Sequence, residues 1–118
     1  MKTLPFGLRT SLKTIAVSGS SMSPQFDDGD WLVFRAIRYD QKGKAPKLHR
    51  LINLVGKVIV LERDAMPGIM QIKRVVRVED SALWVEGDNK QMSTDSRNWG
   101  VVRPHEIRGI VMFRYRRG

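Results

Sequence analysis

Six segments of five to ten residues, alternating apolar with polar or apolar almost throughout, are separated by short clusters of Asp, Gly, Pro and Ser. They are residues 12–18 (LKTIAVS), 31–35 (WLVFR), 56–62 (GKVIVLE), 69–78 (IMQIKRVVRV), 82–86 (ALWVE) and 107–115 (IRGIVMFRY). β-Branched and aromatic side chains suit a pleated surface, while Asp27-Asp28-Gly29-Asp30, Pro67-Gly68 and Asp80-Ser81 supply turns. The spacing predicts an all-β fold, a coiled sheet or partly closed barrel with little or no helix. Pro67-Gly68 makes 56–62 and 69–78 a natural hairpin. Several of Trp31, Phe34, Trp84, Trp99, Phe113 and Tyr115 alternate within strands, which reads as core.

At 118 residues the chain has room for one core, so one domain spanning 1–118 is expected. Within it, 1–11 reads as a flexible amino-terminal extension and 36–55 as a basic surface loop with a short helical turn near 48–54. A hydrophobic content of 42% excludes a disordered chain. The absence of cysteine excludes a disulfide framework, a thiol nucleophile and a thiolate metal site. His49 and His105 fit no metal-ligand or triad spacing, so neither a metal nor another cofactor is expected. No window approaches the roughly 18 apolar residues of a membrane span. The stretch from Leu4 to Leu8 is too short for a secretory signal. Both points favour a soluble, cytoplasmic protein. Lys and Arg outnumber Asp and Glu 21 to 12, a balance that can attract phosphate backbones, anionic lipid or an acidic protein. Charge alone does not choose among them.

Ser21 lies between Gly19-Ser20 and Met22-Ser23-Pro24, where an extended segment ends and the chain turns. Pro24 restricts Ser23 to extended geometry. A serine hydroxyl is a poor nucleophile until a base takes its proton, and where no histidine is plausible a lysine is among the alternative partners. Such a base must be neutral, and bringing any lysine from about 10.4 down to about 8 by burial costs roughly 3 kcal/mol. It also requires that no carboxylate sit directly against the amine. Lys73, inside the hydrophobic run 69–78, is the candidate. On a strict two-residue period it shares a face with Ile69, Gln71, Val75 and Arg77, opposite Met70, Ile72, Arg74, Val76 and Val78. That is the less apolar face, so periodicity predicts a solvated lysine unless a loop covers it, and 87–100 is the segment available.

Three blocks then stand in order: Ser21-Met22-Ser23-Pro24 with Gly29-Asp30; Lys73-Arg74-Val75-Val76; and Gly87-Asp88-Asn89 with Ser93, Asp95-Ser96-Arg97 and Trp99-Gly100. Together they resemble the type I signal peptidase family over residues 17–109. The resemblance implies a signal-peptidase-like fold, related to that of repressor peptidases, and a serine endopeptidase with a Ser-Lys dyad. Ser21 would be the acylated nucleophile and Lys73 the general base and later acid, with the Ser93 hydroxyl orienting the amine. Asp95 and Arg97 would form an ion pair that holds the last block, and Met22 would shape the cleft. Pro24, Asp88, Asn89 and Ser96 would serve as turn and scaffold. The Ser21 amide is the first oxyanion donor to consider. Gly19 stands where some bacterial members place a second hydroxyl donor, and Ser20 lies one residue nearer, so the second donor stays open.

Ordinary members of the family carry a membrane span ahead of the serine, and none is evident here. A short, span-free sequence with Ser93-Thr94-Asp95-Ser96-Arg97 is similar to the nickel-type superoxide dismutase maturation group. That similarity implies a leader-bearing precursor as partner, a nickel-type superoxide dismutase, with no nickel in the enzyme itself. Three other readings stand beside it. One is a membrane-associated signal peptidase I-like enzyme without its anchor, touching anionic lipid through Lys2, Arg9, Lys13, Arg114, Arg116 and Arg117. Another is the self-cleaving peptidase domain of SOS-type repressors. The last is a basic β-barrel that stacks nucleic acid on its aromatics; on the peptidase readings no nucleic acid is expected. Oligomeric state is not legible.

Overall fold

The computed structural model describes residues 12–39 and 50–118. Its strands are β1 (Leu12–Ala16), β2 (Trp31–Ala36), β3 (Val58–Glu62), β4 (Met70–Glu79), β5 (Ala82–Glu86) and β6 (Ile107–Arg116). They form one six-stranded sheet in the order β1-β2-β6-β3-β4-β5. Every neighbouring pair is antiparallel. The fold is all-β, and helix among the described residues is limited to the single turn α1 (Ser96–Trp99) and 3-10 turns at Leu51–Leu54, Lys90–Met92 and Pro104–Glu106.

The six-stranded sheet is not closed, in keeping with the all-β, coiled or only partly closed architecture expected from the strand spacing. Among the described residues β1 meets only β2, and the outer edge of β5 bonds to loop atoms rather than to another strand. An isolated bridge pairs Leu83 with Val102, and the Val85 amide donates to the Ser96 hydroxyl at 2.8 Å. Loop atoms thus take the hydrogen bonds that closure would have used.

The sheet buries both faces. Ile59, Leu61, Val75, Leu83, Val85 and Ile107 pack in one cluster, and Met22, Phe26, Leu32, Phe34, Val60 and Ile72 in another. β3 alternates between the two, which is why its sequence is apolar without interruption. Each such side chain, once buried, contributes about 1.5–3 kcal/mol.

β4 and β5 are joined by Asp80 and Ser81, at φ 52° and 56°. This left-handed pair matches the twist of a two-residue hairpin. Within that hairpin the register passes from Val75 opposite Val85 to Arg77 opposite Trp84, so Val76 is an extra residue. The bulge reverses the facing of everything beyond it. Val75 and Val78 therefore both pack on the first cluster although they are an odd number of residues apart.

Trp31, Phe113 and Tyr115 are exposed, correcting the reading of the strand aromatics as core; Phe34 alone among the six is buried. The reason lies in the lengths of the strands. β3 covers β6 only as far as Ile110, and beyond that point β6 has β2 alone beside it. Residues 1–11 lie outside the described residues, as do 40–49 of the basic segment 36–55. Ile37 and Tyr39, from the start of that segment, belong to the core. No helix among the described residues is long and apolar enough to cross a membrane.

Candidate active site

Lys73 lies on β4, the strand next to the β5 edge, directly opposite Ile59 of β3. It is 4% exposed, the outcome expected where the 87–100 segment covers that face rather than the solvated lysine that periodicity alone gives. The face it shares with Val75 is the inner one, and the segment after β5 closes over it. Its Nζ donates to Ser93 Oγ at 3.0 Å. Ser93 Oγ also accepts from the Gly87 amide at 3.1 Å and donates to Asp95 Oδ2 at 2.6 Å. One donor and two acceptor positions exhaust a hydroxyl, so the Ser93 side chain has no remaining freedom of rotation.

Asp95 is fully buried and anchors the covering segment. It caps α1, accepting from the Arg97 amide at 3.2 Å while its own amide donates to Asn98 Oδ1 at 3.1 Å. It pairs with the Arg97 guanidinium at 2.9 and 3.1 Å and accepts the Gly87 amide at 2.9 Å. Burial pushes its carboxyl up, but the donors from Arg97, Ser93 and the Gly87 amide outweigh that and hold it well below the usual carboxylate range. Arg97 also reaches the Lys90 and Ser93 carbonyls, fastening the segment to itself.

Burial lowers the Lys73 pKa; the Asp95 charge opposes this and the Arg97 charge adds to it, and the net shift is downward. The Ser93 hydroxyl stands between amine and carboxylate. Among the described residues no carboxylate pairs directly with the amine.

Ser21 begins the turn that follows β1 and is half-buried. Its carbonyl accepts from the Asn89 amide at 2.9 Å. The preceding carbonyl, of Ser20, accepts from Asn89 Nδ2 and from the Ser23 amide, both at 3.1 Å. Among the described residues neither the Ser21 amide nor its hydroxyl has a hydrogen-bond partner. Met22 is buried, with its sulfur 3.5 Å from the Asp88 amide. Pro24 is exposed in the turn, next to Ser23, whose hydroxyl donates to Asp27 Oδ1 at 2.7 Å. Gly19, at φ +86°, takes the left-handed conformation there and donates its amide to Asp28 Oδ1 at 2.7 Å.

Gly87 is where the lysine side and the serine side converge. A Cβ there would lie 2.2 Å from Ser93 Oγ and 2.6 Å from the Ser21 carbonyl oxygen, so only glycine fits. Arg74 and Asp88 were not assigned a pairing from the sequence. The guanidinium grips the carboxylate with two bonds, at 2.8 and 2.9 Å, and reaches the Gly56 carbonyl at 2.8 Å. The signal available was a second basic residue beside Lys73 on the opposite face of the strand.

Elsewhere, Asp64, His105 and Glu106 bring ligand-type atoms within 4.8 Å of one another. Both Glu106 oxygens already accept backbone amides, from Arg103 and Asp64, and His105 pairs with Asp64 at 2.5 Å. Those are the contacts of a turn cap. His49 lies outside the described residues.

Residues 76–116 match the signal peptidase, peptidase S26 family. That match includes Gly87, Ser93, Asp95 and Arg97, and begins after Lys73. The chain is also 39% identical over 67 residues to mitochondrial inner membrane protease subunit 1 of Xenopus tropicalis, covering 53% of this chain. It spans 40% of the length of that relative.

Proposed function

We propose that this chain is a serine endopeptidase in which Ser21 is the nucleophile and Lys73 its base. The observation that carries the reading is the buried Lys73 amine, unpaired with any carboxylate among the described residues and held by a hydroxyl. A neutral amine that donates one hydrogen to Ser93 Oγ keeps its lone pair for another partner. That lone pair takes the Ser21 proton as Oγ bonds to the substrate carbonyl carbon, and the Ser21 amide receives the developing oxyanion. The lysine ammonium then gives its proton to the leaving nitrogen as the C–N bond breaks, leaving an ester on Ser21. Water, deprotonated by the same amine, attacks that ester; the proton returns to Ser21 Oγ and the carboxylic acid product leaves.

The substrate, on this reading, is a precursor that loses an amino-terminal leader. The sequence Ser93-Thr94-Asp95-Ser96-Arg97, through its similarity to the maturation group, favours a nickel-type superoxide dismutase precursor and a cytoplasmic enzyme. The match to a mitochondrial inner membrane protease subunit favours a second reading, a signal peptidase-like enzyme working at a membrane. Exposed Phe113 and Tyr115 near exposed Arg116 and Arg117 offer an anionic lipid surface a contact.

The test is to incubate the purified chain with each class of precursor and sequence the new amino terminus, with Ser21→Ala and Lys73→Met alongside. Both variants are expected to fold and to lose at least about a thousandfold in turnover. Undiminished cleavage by either removes that residue from the mechanism. The precursor that is cut decides between the two substrates.

A further inference from the structure

Asn89 contacts the Ser21 turn twice, once through its backbone and once through its side chain. The backbone amide donates to the Ser21 carbonyl and the side-chain Nδ2 to the Ser20 carbonyl, at 2.9 and 3.1 Å. Only the NH2 end of an asparagine can face a carbonyl oxygen, so the orientation of the amide is fixed by its partner. The Ser20 carbonyl belongs to the same peptide unit as the Ser21 amide. A trans peptide is planar and its C=O and N–H point in opposite directions, so whatever holds the oxygen aims the hydrogen. The only cis peptide among the described residues is Ser23-Pro24. The Ser21 N–H, pointing away from Asn89, is left without a partner among the described residues.

We infer that the Asn89 side chain is a positioning residue that orients the Ser20–Ser21 peptide plane and thereby aims the Ser21 N–H as an oxyanion donor. The chemical consequence rests on the peptidase reading above; the mechanical one does not. Donation to the Ser20 oxygen also polarises the peptide and strengthens its N–H as a donor. Asn89 is itself held by its neighbours. Asp88 is gripped by Arg74, and Gly87 is bonded to Ser93 and Asp95, so Gly87–Asn89 ties the peptide plane to the segment that holds Lys73. The fixed Ser20 oxygen has a second donor in the Ser23 amide, which sets the expected loss below that of deleting an oxyanion donor outright.

Two readouts test this on the full chain. In the first, residual dipolar couplings of the 15N-labelled protein report the direction of the Ser21 N–H vector. Asn89→Ala and Asn89→Asp, which keeps the shape but loses the donor, are expected to turn that vector while the couplings of the six strands stay as they are. In the second, kinetics on a cleaved precursor should show kcat falling roughly tenfold to hundredfold, with KM and the pH midpoint of activity unchanged and Asn89→Asp no better than Asn89→Ala. An unmoved Ser21 vector in both variants overturns the proposal, whether or not the chain cleaves anything. A wild type that cleaves no precursor sinks the peptidase reading alone, because the vector still reports on the clamp. Loss of activity through a raised KM or a shifted pH midpoint also overturns it, by assigning Asn89 to substrate binding or to the base.

Discussion

At Ser93 one hydroxyl links an amine, an amide and a carboxylate, and removing it leaves all three in a buried place without that partner. Ser93→Ala should cost about 1–3 kcal/mol of stability, measured by urea unfolding. It should also free the Lys73 amine to rotate, lowering kcat by roughly a hundredfold with little change in KM. A full loss of stability with normal kcat would assign Ser93 a purely structural role. Gly87→Ala tests the same spot sterically. The added methyl must displace Ser93 or the Ser21 carbonyl, and overpacking of that kind costs about 1–3 kcal/mol. Wild-type turnover in a folded Gly87→Ala protein would show that the convergence of the two segments is not needed.

The covering segment acts as a unit, through α1 and its cap. Asp95→Asn keeps the shape but removes the charge that Arg97 faces. Because Arg97 is 35% exposed and keeps two carbonyl partners, the loss should be about 1–3 kcal/mol rather than the larger cost of a fully buried pair. Thermal unfolding of Asp95→Asn beside Arg97→Ala and the double variant measures the coupling. Fully additive effects would contradict a direct pair. The strands themselves were legible from sequence because each is a short β-branched run between turn residues, and the 80–81 hairpin was legible as its turn. Two things were not. Strict alternation sets Lys73 and Val75 beside Gln71 and Arg77 and so makes their face look polar, whereas the bulge at Val76 brings Val78 to that inner face. Strand patterns also do not show that Ser96 and Val102 occupy the β5 edge. The three blocks pointed to the residues that gather around Gly87, whereas the pairing of Arg74 with Asp88 and the two contacts of Asn89 depend on how loops lie across the sheet, which spacing does not encode.

At the scale of the whole molecule Asp95 and Lys73 make stability depend on pH in the same direction at opposite ends of the scale. The Asp95 carboxyl is held down in the folded chain. Below about pH 4 the unfolded chain therefore binds more protons, and the stability present above that range is lost as pH falls. The Lys73 pKa is lowered by burial, so between its folded value and about 10.4 the unfolded chain again binds more protons and stability rises with pH. Lys73→Met should accordingly raise Tm at pH 7, by a margin that shrinks as the wild-type amine deprotonates. A lower Tm at pH 7 would mean that the charged amine is welcome in the fold. The most direct test of the central claim is to titrate the Lys73 amine itself, by NMR of selectively labelled lysine, beside the pH dependence of kcat/KM. A neutral base predicts that Lys73 titrates below about 10.4, with the same midpoint as the rise in activity. A Lys73 that titrates at or above about 10.4, or activity that rises at a different pH, would contradict the account.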